Sequence, residues 1–143
     1  EITLEEFHNI SFNNITLSQL LEFDGNVNDL SNLFGLVFTD ITHQNNDEGK
    51  DYYSPSILIN YFEDELGGIE IKTTDIILSI NGVNVSIGDN ISLLGYGGSG
   101  FNSFVSPNDN TKGITIFKPD YNDTYISIYF NKTVTYEISY KKG

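Results

Sequence analysis

The sequence predicts an α+β fold in which two diverged helix-plus-antiparallel-sheet units stand in tandem, with the helices packed on one face of a shared sheet. Three observations carry that expectation. Ile10-Ser11-Phe12-Asn13-Asn14-Ile15-Thr16-Leu17-Ser18 and Leu78-Ser79-Ile80-Asn81-Gly82-Val83-Asn84-Val85-Ser86 share one pattern at an offset of 68 residues. In both, apolar and polar residues alternate, a two-residue turn intervenes, and the alternation resumes. Residues 57–62 and 125–130 match at the same offset of 68. Between these anchors Leu33-Phe34-Gly35 aligns with Leu93-Leu94-Gly95 at an offset of 60, so the second copy is shorter before its glycine. Internal repeats of this kind determine the architecture and are read first. The units are expected over about residues 6–72 and 73–143, within a single domain covering 1–143.

Each element then follows from local rules. Asn-Gly between alternating runs is the strongest hairpin signal, because both central residues of a type I′ turn need φ > 0. Asn tolerates the left-handed region, so Asn13-Asn14 serves the same purpose. Residues 18–34 carry helical spacing: Leu20, Leu21 and Phe23, then Val27, Leu30, Leu33 and Phe34. Asp24-Gly25-Asn26 interrupts it, which predicts two short helices, and Gly35 stands where a left-handed glycine closes a helix. In the second unit residues 87–94 allow only one or two turns, opened by Gly88-Asp89-Asn90 and closed by Gly95. His8, beside Phe7, reads as part of a strand. Tyr52-Tyr53 and residues 57–62 also read as strands, with Glu63-Asp64-Glu65 in a turn before Gly67-Gly68. Residues 112–118 form a strand ended by Pro119, and 124–130 and 133–140 are β-branched and aromatic, as sheets prefer. Residues 40–51 and 96–112 are polar and rich in Asn and Gly, and are expected as loops. Residues 75–80 are expected to carry one continuous sheet from the first unit into the second.

Composition bounds the function. Ten Phe and nine Tyr supply a core without staples in a chain of 143 residues, since each aromatic buries roughly 150–250 Å². The absence of Cys excludes disulfides and thiolate metal sites. No apolar run approaches the roughly 18 residues that a spanning helix needs. The net charge is −13, from seven Lys, no Arg and 20 acids. Nucleic-acid binding needs cations that replace counterions, so it is excluded as an expectation. An anionic membrane surface repels such a chain. The charge is lopsided: residues 1–72 carry −12 and residues 73–143 carry −1. A field of that kind steers a basic partner onto one face.

The helical pair ending in Leu33-Phe34-Gly35, the strand with Tyr52-Tyr53, residues 57–62 and a closing strand together resemble the units of β-lactamase-inhibitor-protein-like folds. The small BamE-type outer-membrane assembly lipoproteins show a similar single unit. The resemblance spans about residues 8–140 and rests on pattern rather than on any motif of single positions. It implies helix pairs on an antiparallel sheet and a protein-binding role without catalysis. Fold does not dictate function, so that role is an implication of the resemblance only.

The residues offer little for catalysis. His8 and His43 lie in no metal-binding spacing. Gly95-Tyr96-Gly97-Gly98-Ser99-Gly100 fits a dinucleotide-binding string, but it lacks the preceding strand and following helix that bring a pyrophosphate to a helix N-terminus. It reads better as a loop presenting Tyr96, Phe101 and Phe104. Asn108-Asp109-Asn110 and Asp120-Tyr121-Asn122-Asp123 do not match a calcium loop and read as turns. No cofactor and no metal is expected, and no enzyme activity. The expected role is an immunity-type inhibitor that neutralises a basic bacterial toxin, acting in the cytoplasm. Its partner-binding residues are expected to be Glu22, Asp24, Asp29, Glu63, Asp64 and Glu65, with Tyr96 and Phe101 as aromatic anchors. The alternative is a secreted or periplasmic lipoprotein-type scaffold of the bacterial envelope, which a start at Glu1 after leader removal would suit.

Overall fold

Three short helices open the chain, and each begins with the same device. In a computed structural model, residues 2–42, 49–94, 102–119 and 123–142 are described. Helix α1 spans Leu4–His8, α2 spans Leu17–Glu22 and α3 spans Val27–Phe34. The Thr3 hydroxyl accepts from the Glu6 N–H at 3.1 Å, and the Glu6 carboxylate accepts from the Thr3 N–H at 3.1 Å. Thr16 and Gln19 repeat this reciprocal pair for α2, and Asn26 and Asp29 for α3. Such capping boxes satisfy amides that have no partner within a helix. The first of them overturns the expectation that His8 lies in a strand: His8 ends α1. The expected break at Asp24-Gly25-Asn26 is observed between α2 and α3. Gly35 closes α3 at φ 67°, donating to the Ser31 carbonyl at 2.8 Å.

The remainder is mostly antiparallel sheet, in two sheets rather than the single continuous one expected. Strands β1 (Ser11–Phe12), β2 (Ile15–Thr16), β7 (Leu78–Ile80) and β8 (Val83–Val85) form a four-stranded sheet in the order β2-β1-β7-β8. Residues 78–80 therefore pair with the first hairpin and do not extend the larger sheet. That sheet has eight strands: β3 (Thr39–Asp40), β4 (Lys50–Tyr53), β5 (Ile57–Phe62), β6 (Glu65–Ile71), β9 (Asn102–Ser106), β10 (Asp109–Phe117), β11 (Thr124–Asn131) and β12 (Val134–Lys142). Their order is β3-β4-β5-β6-β12-β11-β10-β9. Ser11 pairs with Ser79 across β1 and β7, and Glu70 pairs with Ser139 across β6 and β12.

Among the described residues four hairpin turns place consecutive residues at positive φ: Asn13-Asn14, Glu63-Asp64, Asn81-Gly82 and Lys132-Thr133. Thr133 at φ 66° is unusual, because a β-branched side chain crowds that conformation. It is held there from both sides. Its N–H donates to the Thr111 carbonyl at 2.7 Å, and its carbonyl accepts from the Ile91 N–H at 2.8 Å. Ile91 begins the short 3-10 turn Ile91–Leu94, within residues 87–94 where one or two helical turns were expected.

Two loop expectations are corrected. Residues 102–106 and 109–117 are strands, so within 96–112 the described connection is Pro107-Asn108. Gly67-Gly68 lie inside β6, with the turn at Glu63-Asp64 alone. A glycine suits position 67 because Asn60 leans over it: a Cβ on Gly67 would stand 2.6 Å from Asn60 Oδ1. One hydrophobic cluster gathers Phe7, Phe12, Leu17, Leu20 and Leu30 with Ile59, Phe117, Ile126, Ile128 and Phe130. Among the described residues no helix is long and apolar enough to cross a membrane.

Candidate functional site

Where the α2–α3 link crosses the ends of β4 and β5, the chain forms a cleft of about 290 Å³ lined by Phe23, Asp24, Gly25, Lys50, Tyr52, Tyr61 and Asp64. The elements around it explain its form. Tyr52 on β4 and Tyr61 on β5 face the core side of the sheet, with ring centroids 6.2 Å apart. Phe23, which ends α2, lies 5.9 Å from Tyr61. The Tyr61 hydroxyl donates to the Leu20 carbonyl at 2.7 Å, fastening α2 to the sheet. The two tyrosines of this aromatic floor are almost fully buried, with Tyr52 at 4% and Tyr61 at 5% exposure, and Phe23 is partly exposed. Burial pushes both phenols up, Tyr61 far more than Tyr52. Both hydroxyls stay protonated and neutral across ordinary pH, so the floor carries no charge.

The rim carries the charge. Asp24 comes from the helix link, and Asp64 from the β5–β6 turn 40 residues later. Asp29 stands just behind them. A Cβ on Gly25 would lie 2.7 Å from the Asp29 side chain and 2.9 Å from the Phe23 ring. Lys50 Nζ lies 3.9 Å from Asp64 Oδ1, with both side chains open to water. An exposed pair of that kind binds weakly and exchanges readily. The arrangement can seat a cationic side chain: the carboxylates on the rim complement its charge, and the partly exposed Phe23 ring is the aromatic face within its reach.

The six acids expected at the site divide into groups. Asp24 and Asp64 meet at the cleft, and Asp29 adjoins it while also capping α3 through the Asn26 N–H at 2.9 Å. Glu63 shares the β5–β6 turn and is exposed. Glu22 is exposed at the last residue of α2. Glu65 is committed elsewhere: Lys142 Nζ donates to its Oε2 at 2.7 Å and holds its carboxyl below the usual range. Tyr96 and Phe101 lie outside the described residues, as does His43. Sequence reasoning missed Tyr52, Tyr61, Phe23 and Lys50 as site residues. The available signal was an adjacent aromatic pair on each of two strands, Tyr52-Tyr53 and Tyr61-Phe62, since consecutive strand residues point to opposite faces and one ring of each pair must turn to the core.

Elsewhere, Asp75 accepts from the Ser56 hydroxyl at 2.5 Å and from the Thr73 hydroxyl, bonds that hold its carboxyl below the usual range. Among the described residues no group of three or more His, Cys, Asp or Glu is placed to hold a metal ion. No family model matches the chain, and neither curated proteins nor solved structures provide a match.

Proposed function

We propose that this chain is a non-catalytic protein-binding domain whose partner is a basic protein, and that it acts as an immunity-type inhibitor holding a bacterial toxin inactive. The observation that carries the reading is the cleft: two carboxylates far apart in sequence meet over a neutral aromatic floor, in the half of the chain that bears −12. The physical division of labour follows. The negative field of residues 1–72 raises the encounter rate with a basic partner, and that gain is screened by salt. Seating a Lys or Arg side chain between Asp24 and Asp64, against the partly exposed Phe23 ring, governs how long the complex lasts.

The two halves are further proposed to be diverged copies of one unit. Support comes from the strand order, in which β3-β4-β5-β6 and β9-β10-β11-β12 run outward from a central β6–β12 pair. The pairs Ser11–Ser79 and Glu70–Ser139 join positions 68 and 69 residues apart, as a two-fold axis through both would require. The second anchor is better aligned at 69 than at 68. At 69, buried Ile57, Ile59 and Tyr61 meet buried Ile126, Ile128 and Phe130. A one-residue slip would turn each to the opposite face.

The test is the association rate of the purified partner, captured from the native host, measured from low to high salt. The rate is expected to fall by at least about tenfold across that range. A rate independent of salt would refute electrostatic steering and with it this reading.

A further inference from the structure

The eight-stranded sheet has two edges, and they are unlike. At one, β3 has only two residues and carries Asp40. At the other, β9 runs for five residues, Asn102-Ser103-Phe104-Val105-Ser106, without a charge or a proline. Strand β9 pairs with β10 through Asn102–Ile116, Ser103–Thr115, Phe104–Ile114 and Val105–Gly113. Among the described residues no strand pairs with its outer side. An antiparallel strand bonded on one side presents alternate N–H and C=O groups on the other. Sheet proteins commonly blunt such an edge with a charge, a proline or a short strand. The β3 edge is blunted by its length and charge, whereas β9 has neither a charge nor a proline, and the register shift in its ladder lies at its Ser106 end, between Asp109 and Gly113 of β10.

We infer that β9 is a self-association edge, on which a second copy of this chain adds its own β9 antiparallel to make one sheet continuous across two molecules. Antiparallel addition of two identical strands is self-complementary. The Asn102 end of each copy lies against the Ser106 end of the other, and a two-fold axis closes the pair.

Charge decides for a second copy over a strand from a basic protein. The half that contains β9 carries −1, so it offers a basic chain little attraction and a second copy little repulsion. The acids of the cleft are remote. Strand β5, which leads to Asp64, is five strand spacings from β9. At about 4.8 Å per spacing that is roughly 24 Å, about three screening lengths at physiological salt. Two copies joined through β9 therefore keep their acidic clefts at opposite ends, free for partners. Val105 at 45% exposure stands at this edge beside Ile114, Tyr129 and Tyr136 in a shallow trough. It gives the joined strands an apolar contact in addition to their backbone bonds.

The interface is small, so the dimer is weak and depends on concentration. Sedimentation velocity between about 1 μM and 1 mM tests it. The wild-type chain is expected to move from 16.0 kDa toward twice that mass. Val105→Thr, which keeps a strand-favouring uncharged residue, is expected to associate likewise, whereas Val105→Lys is expected to remain at 16.0 kDa with an unchanged melting midpoint. Hydrogen exchange on the wild-type chain is expected to slow with concentration at amides of residues 102–106 and nowhere else in the large sheet. That measurement decides the matter even if Val105→Lys fails to fold. Because the acids are screened from this edge at physiological salt, association is expected to change little with salt from there upward, unlike binding at the acidic cleft. A wild-type chain that stays monomeric throughout, or slowing confined to other amides, would overturn the inference. So would a folded Val105→Lys chain that dimerises as the wild type does.

Discussion

Replacing Tyr61 with Phe removes one hydroxyl and leaves the ring. The hydroxyl donates to the Leu20 carbonyl at 2.7 Å in a buried setting. Leu20 is among the last four residues of α2, whose carbonyls have no partner within the helix. With the hydroxyl gone, that carbonyl is left buried and unsatisfied. The cost is about 1–3 kcal/mol, or a fall in melting midpoint of roughly 2–12 °C for a chain near this size. Tyr53, at 45% exposure on the same strand as Tyr52, is the control, and Tyr53→Phe is expected to stay within about 1 °C of wild type. Differential scanning calorimetry at neutral pH reads both. A Tyr61→Phe midpoint within about 1 °C of wild type would show that the helix-to-sheet fastening is not what the geometry implies.

The same phenol makes a prediction about pH. Burial, with lesser contributions from Tyr52 and Tyr140, raises the Tyr61 pKa in the folded chain above its ordinary value of 10.0. Above pH 10 the unfolded chain therefore binds fewer protons than the folded one. The stability from this group is fully present below pH 10 and is lost as pH rises from there. The loss proceeds at up to about 1.4 kcal/mol per pH unit. Denaturant melts between pH 8 and 11 are expected to show Tyr61→Phe declining less steeply than wild type, and parallel declines would refute the assignment. Gly35→Ala, forced to hold φ 67° with nothing crowding its Cβ, is expected to cost about 1–2 kcal/mol in urea melts. Ser31→Ala removes a hydroxyl that donates to the Val27 carbonyl and accepts from the Phe38 N–H, each at 3.0 Å. It is expected to cost about 1 kcal/mol by the same assay. Lys142→Ala breaks the exposed pair with Glu65 and is expected to leave the melting midpoint unresolved from wild type.

Local chemistry was legible and non-local pairing was not. Asn13-Asn14 and Asn81-Gly82 announce their turns because few residues tolerate φ > 0. Asp24-Gly25-Asn26 and Gly35 mark helix boundaries for related reasons of backbone freedom. Helix α1 was missed although Thr3 and Glu6 stand at capping-box spacing, because five residues give too little periodicity and Phe7-His8 resemble a strand. The pairing of β1 with β7 joins residues more than 60 apart, and no local pattern encodes it. That pairing is what divides the structure into two sheets. Strand β9 lies next to a glycine-rich stretch, and its composition read as loop. At the site, the acidic residue types were legible, but their convergence was not. Asp24 and Asp64 meet only because β4, β5 and the α2–α3 link come together in three dimensions. Glu65, adjacent to Asp64 in sequence, is instead drawn to Lys142 on β12.

The most direct test of the central claim is affinity capture from the native host, comparing the wild-type chain with an Asp24→Asn/Asp64→Asn double variant at low salt. Bound proteins are quantified by mass spectrometry. The account predicts one basic protein enriched on the wild-type chain, and at least about tenfold less of it on the double variant, since two charge-assisted contacts are lost. A bound protein that is neutral or acidic, one retained equally by both chains, or the absence of any enriched basic protein would contradict the account.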